Sequence, residues 1–551
     1  MKGTSRFLLS LFVALVLGGG LVGSPGIAGA SGAGDQGPGR RTASGPQVAS
    51  ATGHLDPVST HRLVRPLSAA AREALSRGYL VRDRLAFERA KMMAEKAAPA
   101  GPSSASSGPL TPSAFRSWSG QYDTTVTPGD STGAVGPTRY VELVNLKFGI
   151  YSRSSSTALA SGTLASFTGD SAGNLSDPQV IWDPDTRRFY YVALDFSYNI
   201  LDVGFSKTDS PSSAADWCKY SADYGYGTNI PDYPKLGDTR DFWLIGVNVF
   251  NSSGTFVRSD VDWITKPAAG SACPAGSTFR IGQKANLLNA GGTKAFTPVP
   301  ANQTDGSGTG WIVAAKDTTL GSGSFLSVFS VTKNSNGTAN IQGTARSLSV
   351  SSYSLPPPAP QSGTSKTFDT LDGRLTQAVS AIDPSRSGKV AIWTQHTVAG
   401  GAGARIRWYE INPATPALFQ SGSASSSSLY VFNGAIAPDR AVNGTAVAFG
   451  NSMVLGFDTS SASAFEAIQM VSKIGTAAQS GFVLIRQSAG RNVDFSCAPV
   501  CRWGDYAGAT PDPGASTTAA HGQVWLTSEY NVSSTTNSNV DWRTQNWGVT
   551  P

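Results

Sequence analysis

Residues 177–194 read DPQVIWDPDTRRFYYVAL, in which an apolar run at 179–182 is closed by Asp183-Pro184-Asp185-Thr186 and a second run rich in β-formers follows. Proline presets φ, aspartate bonds its own backbone, and aromatic or β-branched residues suit a pleated surface, so the pattern predicts a hairpin. The same order recurs at residues 133–145, 233–249, 296–316, 374–396, 433–450 and 505–530. Each unit has a small or polar entry, a short strand, a turn or insertion, and an apolar second strand such as RYVELVN, FWLIGVNV, GWIVAAK, KVAIWTQ or QVWLTSEY. The entry positions Gly133, Asp177, Tyr233, Phe296, Arg374, Asn433 and Asp505 are 44 to 78 residues apart.

Seven multi-stranded repeats predict an all-β, seven-bladed β-propeller over residues 113–551, or six blades if the weak unit at Phe296 is discounted. Two β-sandwiches are the alternative. They would need a linker inside this region, and no linker-like stretch divides it.

The chain before residue 113 follows other patterns. Lys2 and Arg6, the apolar run 7–17 and Ala28-Gly29-Ala30 predict a signal peptide over residues 1–30. Residues 31–65 lack a sustained period and predict disorder. Leu67, Ala71, Ala74, Gly78, Val81 and Leu85 fall on one helical stripe, which predicts a helix over about residues 68–97. Residues 98–113 are a Pro/Ser/Gly linker by composition. The leader is therefore expected to be separable, with its removal leaving the ring's stability unchanged.

Charge and cysteine content refine the picture. The net charge is +6, but Lys2 and Arg6 and an excess of five cations in residues 31–112 account for more than all of it, so residues 113–551 carry −1. No nucleic-acid surface is expected on the main domain. Four cysteines, Cys218, Cys273, Cys497 and Cys501, suit one or two disulfides in an oxidising compartment. Cys497 and Cys501 bracket three residues and would close a local ring; pairing of Cys218 with Cys273 follows only if they do, and three connectivities are open. No histidine lies near any cysteine, so no metal site and no cofactor is expected.

Several segments carry a resemblance: VTPGDSTGAVGPTRYVELVN, SDPQVIWDPDTRRFYYVAL, PDYPKLG, LDGRLTQAV with WTQHT and RIRWYEI, and CRWGDYAGATPDP with VWLTSEY and WRTQNW. Together they resemble a set of secreted bacterial β-propeller proteins, loosely sialidase-like in fold and mostly without assigned activity. The resemblance covers nearly all of residues 120–547 and implies export and the propeller. It carries over no catalytic residues. The Ser-x-Asp-x-Gly-x-x-Trp turn of sialidase blades does not occur, and Ser387 to Trp393 keeps only its Gly and Trp.

Candidate chemistry concentrates where inner strands begin, because their entrance loops crowd one face of a propeller. Asp130, Asp177, Lys235, Arg374, Arg502 and Asp505 belong to this set, and opposed carboxylates such as Asp177 and Asp505 suit glycoside cleavage if they meet. Their competing role is to cap turns and lock neighbouring blades. His396 lies in a predicted strand, where a structural role competes with catalysis. Tyr224 and Tyr226, beside Tyr220 in KYSADYGYG, are candidates for stacking on sugars, whereas most tryptophans fall in apolar strands and are expected in the core. The leading functional expectation is a secreted, monomeric, extracellular binding surface for a polysaccharide or other polymer, free of the membrane after signal cleavage. A glycan hydrolase or lyase is second and a protein-interaction scaffold third. Convergence of two carboxylates in one pocket with a perturbed proton affinity would favour the enzyme.

Overall fold

The computed structural model describes residues 53–58, 80–97, 111–171, 174–439, 449–498, 500–513, 521–533 and 540–551, all within one compact unit. The expected signal peptide and most of the expected disordered leader lie outside the described residues.

Alternation of apolar and polar residues, broken by Asp-, Gly- and Pro-bearing turns, folds the described chain into seven sheets of four or five strands and one small three-stranded sheet. Their innermost strands are Thr132–Val135, Leu175–Asp183, Ile230–Asp238, Phe296–Pro300, Leu375–Asp383, Tyr430–Pro438 and Gly508–Pro511. Each packs against the next, and the last packs against the first. That closed ring of radial sheets is a β-propeller. Every interface between successive sheets has its own apolar cluster, and most of the tryptophans fill these wedges as the sequence pattern predicts, whereas Trp503 and Trp542 pack in smaller clusters elsewhere. Trp243 of the third sheet meets Tyr190 of the second at 4.8 Å, and Trp525 of the seventh stacks on Tyr140 of the first at 5.7 Å.

Closure is non-covalent and uses both ends of the domain. Ser113–Ser119 forms the outermost strand of the seventh sheet, pairing antiparallel with Trp542–Thr550 from Ser113 opposite Thr550 to Ser119 opposite Gln545. The small eighth sheet joins Ala359–Pro360 and Thr367–Phe368 to Val500–Cys501. It thereby ties the insertion before the fifth sheet to the loop that leads into the seventh.

The inner strands share an irregularity at their entrances. Register shifts bracket Asp177-Pro178, Tyr233-Pro234, Thr297-Pro298 and Asn433-Gly434. Asp177, Tyr233, Thr297 and Asn433 have φ between +49° and +58°, a region that costs a residue with a side chain. Such bulges re-aim side chains at a sheet's edge. They coincide with the repeat entries visible in the sequence.

The leader departs from expectation. His54–Pro57, expected to be disordered, adds a fifth strand to the second sheet by pairing with Trp217–Asp223. Among the described residues the helix spans Arg84–Ala97, with Asp83 accepting the N–H of Ala86 at 2.9 Å in the manner of an N-cap; residues 68–79 of the expected helix lie outside the described residues. Leu67, Ala71, Ala74 and Gly78 of the expected stripe lie outside the described residues, and Leu85 is 69 % exposed. The helix instead buries Phe87 and Lys91, with Phe87 joining Val81, Leu355 and Leu371. The helix expected to be separable is docked on the ring, where Lys91 Nζ lies 3.4 Å from Asp369 Oδ1 and donates to Thr370 Oγ1 at 2.9 Å. Cys218–Cys273 and Cys497–Cys501 are both disulfide-bonded.

Candidate active site

The entrance bulges, the turn at 145–147 and the loop 495–505 enclose a cavity of about 550 Å³. Of the sequence candidates, Asp130, Asp177, Arg502 and Asp505 line it, joined by Asp123, Lys147 and Asp232. They come from opposite ends of the domain: Asp130 precedes the first inner strand, Asp177 and Asp232 lie in the second and third, and Arg502 and Asp505 precede the seventh.

A continuous polar network fixes these groups. Asp130 Oδ1 accepts the N–H of Asp505 at 2.9 Å, and its Oδ2 accepts Asn145 Nδ2 at 2.7 Å. Asn145 Oδ1 in turn accepts the N–H of Asp177 at 2.9 Å, so one amide side chain spans the first and second entrances. Tyr506 donates its hydroxyl to Asp177 Oδ2 at 3.0 Å, and Arg502 Nη2 donates to Asp505 Oδ2 at 2.5 Å. Asp232 differs, because its Oδ2 accepts no hydrogen bond although the residue is only 4 % exposed.

Burial and mutual repulsion separate the carboxyls electrostatically. Burial, and then the neighbouring Asp505 and Asp177, push Asp130 well above the usual carboxylate range. Burial, reinforced by Asp177, pushes Asp232 up to about 8. Burial also raises Asp505, but the Arg502 guanidinium pulls against it and leaves the carboxyl at about 6. Asp177 is raised by burial, with Arg502 and the Tyr506 hydroxyl opposing. Near neutral pH the cavity therefore offers a protonated Asp232 beside an ionised Asp505.

Lys235 and Arg374 support the floor without lining the cavity. Lys235 Nζ sits 3.6 Å from the ring centroid of Tyr506 and 4.0 Å from that of Tyr233, and the two rings are themselves 4.7 Å apart. Burial, with Arg374 nearby, holds its amine well below the ordinary lysine value. Arg374 donates through Nε and Nη2 to Asp372 at 2.7 and 2.6 Å and lies 4.4 Å from the Tyr233 ring centroid. Lys235 of the third sheet thereby meets Tyr506 of the loop leading into the seventh, and Arg374 of the loop leading into the fifth meets Tyr233 of the third.

The other candidates lie elsewhere. His396 is buried in the fifth sheet, with Nδ1 2.8 Å from the Gly373 carbonyl and Nε2 2.9 Å from the Tyr409 hydroxyl; burial lowers it to about 3, and it does not reach the cavity. Tyr224 and Tyr226 were expected to be exposed but are buried between the second and third sheets, and Tyr226 donates to Asp262 Oδ2 at 2.8 Å. Tyrosines following the outer strand Trp217–Asp223 find a wedge of aromatic and aliphatic side chains to fill, which favours burial over a free face. Asp232 went unselected in the sequence. Its signal was available: it immediately precedes Tyr233-Pro234, a bulge of the same kind as Asp177-Pro178.

Among the described residues, no group of three or more His, Cys, Asp or Glu is placed to hold a metal ion. No described helix is long and apolar enough to cross a membrane.

No protein-family model and no curated protein matches the chain. Solved structures that align with it include the Dos1 propeller, at 9 % identity over 79 % of this chain and 94 % of that one with a TM-score of 0.34. Drosophila Semaphorin 1b, extracellular domains 1-2, aligns at 8 % identity over 79 % and 87 % with a TM-score of 0.35. The catalytic domain of the Coprinopsis cinerea GH62 alpha-L-arabinofuranosidase aligns at 14 % identity over 54 % and 91 % with a TM-score of 0.27.

Proposed function

We propose that the protein is an extracellular, monomeric glycan hydrolase whose site is the cavity between the first, second and seventh entrances. The observation that carries this reading is that Asp232, whose buried Oδ2 accepts no hydrogen bond and whose carboxyl burial pushes up to about 8, lines the same cavity as the Arg502-paired Asp505, held at about 6. Two carboxyls held in opposite protonation states are what acid–base cleavage of a glycosidic bond requires. Asp232 gives its proton to the glycosidic oxygen as the carbon–oxygen bond breaks. Asp505 takes a proton from the attacking water, whose oxygen bonds to the anomeric carbon. Burial, and after it the charge of Asp177, keeps the proton on Asp232, and Tyr506 orients Asp177.

Convergence of carboxyls at one cavity is the feature that ranks cleavage above simple binding. The two disulfides are consistent with an oxidising, extracellular compartment. Incubation with plant, fungal and bacterial polysaccharides, scored for retained protein and released sugars, tests the reading. Products are expected from the wild type and not from Asp232→Asn or Asp505→Asn. Retention without products would replace cleavage by binding.

A further inference from the structure

Through Lys91 the leader helix Arg84–Ala97 grips one short turn, residues 369–374, which leads into the fifth inner strand. Lys91 Nζ donates to Thr370 Oγ1 at 2.9 Å and to the Leu371 carbonyl at 2.5 Å, and lies 3.4 Å from Asp369 Oδ1. The turn needs such a hold. Leu371 has a φ of +59°, a costly conformation for a residue with a side chain, and its N–H donates to Asp369 Oδ1 at 3.0 Å while its carbonyl receives Lys91.

Two routes lead from that turn to the proposed base, Asp505. Along the first, the N–H of Asp369 donates to the Cys501 carbonyl at 2.9 Å, beside the parallel pairing of Phe368 with Cys501. Cys501 adjoins Arg502, whose Nη2 donates to Asp505 Oδ2 at 2.5 Å. Along the second, Arg374 is fixed by Asp372 and lies 4.4 Å from the Tyr233 ring centroid, and the Tyr233 hydroxyl donates to the Asp505 carbonyl at 2.6 Å. The turn therefore bears on Asp505 through both its side chain and its backbone. It bears on the charge as well: burial raises the proton affinity of Asp505 most, Arg502 lowers it and Asp177 raises it, and after these Asp369 raises and Arg374 lowers it.

We infer that the leader helix is a working part of the hydrolytic site, with Lys91 as a positioning residue that holds the turn 369–374 and, through Cys501 and Tyr233, the aim of Asp505. This rests on the hydrolase reading, in which Asp505 takes a proton from the attacking water. A base that must meet that water in line with the anomeric carbon loses rate when its direction slackens. Much of the cavity's lining, from Asp123 to Phe196, lies in or beside the first and second sheets, so glycan binding depends less on the turn than turnover does.

The test compares the full chain with Lys91→Met, Lys91→Arg and Met92→Ala, the last an exposed position on the same helix, all well below their melting temperatures. On an oligosaccharide that the wild type cleaves, Lys91→Met is expected to lower kcat about tenfold or more with KM within about twofold, Lys91→Arg to restore most of the loss, and Met92→Ala to behave as wild type. Hydrogen exchange read by mass spectrometry should show residues 500–506 exchanging faster in Lys91→Met, with Ile200–Ser206 of the second sheet unchanged. Should Lys91→Met fail to fold, Asp369→Asn, which alters the same ion pair from the other side, takes its place. An unchanged kcat, a fall shared by Met92→Ala, unchanged exchange at 500–506, or exchange faster to the same degree in every sheet would overturn the inference while leaving hydrolysis standing. If the wild type releases no sugar from any polysaccharide, the hydrolase reading fails by itself. Exchange then decides the coupling alone: a local rise at 500–506 keeps Lys91 as the support of the Asp505 loop, and no rise removes it.

Discussion

The N–H of Asp505 donates to Oδ1 of Asp130 at 2.9 Å, across 375 residues of sequence. This bond is made only when the seventh sheet meets the first. Closing the ring and assembling the cavity are therefore one event, and the outer strand Ser113–Ser119 that completes the seventh sheet is part of the site's support.

Cleavage should follow a bell-shaped pH profile. Asp505 must be ionised and Asp232 protonated, so kcat/KM is expected to fall below about 6 and above about 8. Measuring the profile with a soluble oligosaccharide checks it. A high-pH limb that persists in Asp232→Asn at residual activity would remove Asp232 from the acid's role.

Stability should respond to pH in a definite direction through the same residue. Asp232 rises from an ordinary 3.8 to about 8 on folding, so between those values the folded chain holds a proton that the unfolded chain has lost. Its contribution therefore decreases as pH rises, by about 1.4 kcal/mol per pH unit. Denaturant unfolding between pH 5 and 7.5 should show a shallower decline for Asp232→Asn than for the wild type. An unchanged slope would contradict the assignment.

Removing the leader helix should destabilise the ring. Lys91 and Asp369 are 8 % and 11 % exposed at their side chains, and truncating one partner leaves the other buried without its counter-charge. Lys91→Ala is expected to cost on the order of 3 kcal/mol, and Lys91→Met less, because its stem still packs on Phe87. Urea unfolding of the two variants and of a chain lacking residues 31–97 would decide it. A truncated chain as stable as the full one would restore the separable leader.

His396 should matter for stability and not for the reaction. Its two ring nitrogens lie against Gly373 and Tyr409 inside the fifth sheet, so His396→Ala removes both buried hydrogen bonds at a cost of about 1–3 kcal/mol. The expected result is a lower Tm with an unchanged pH profile of kcat/KM. A shifted profile would bring the histidine back into the chemistry.

Intact-mass measurement with and without reductant should show a gain of two protons for each of the bridges Cys218–Cys273 and Cys497–Cys501. Replacing Cys218 and Cys273 by serine is expected to cost about 2–5 kcal/mol, since the bridge closes a span of 55 residues. No mass difference would remove the oxidised assignment.

The repeat of strand, turn and strand was legible in the sequence because hairpins are local: residues 177–194 contain their own turn chemistry and their own β-formers. The repeat entries were legible too, and Asp130, Asp177, Arg502 and Asp505 could be named in advance because polar residues at those entries crowd one face of a ring; that the entries at Asp177, Tyr233, Thr297 and Asn433 are bulged appears only in the structure. Tertiary structure alone decided which of the polar residues share a space. Tyr224 and Tyr226 read as a polar loop but fill a wedge supplied by the neighbouring sheet, and Lys91 reads as a solvated helix charge but meets Asp369 from 278 residues away. The proton affinity of Asp232 likewise depends on Asp177 and on burial by a ring that must first close. Sequence fixes local backbone preference, whereas burial and charge proximity are set by contacts between segments that the chain brings together only at the end of folding.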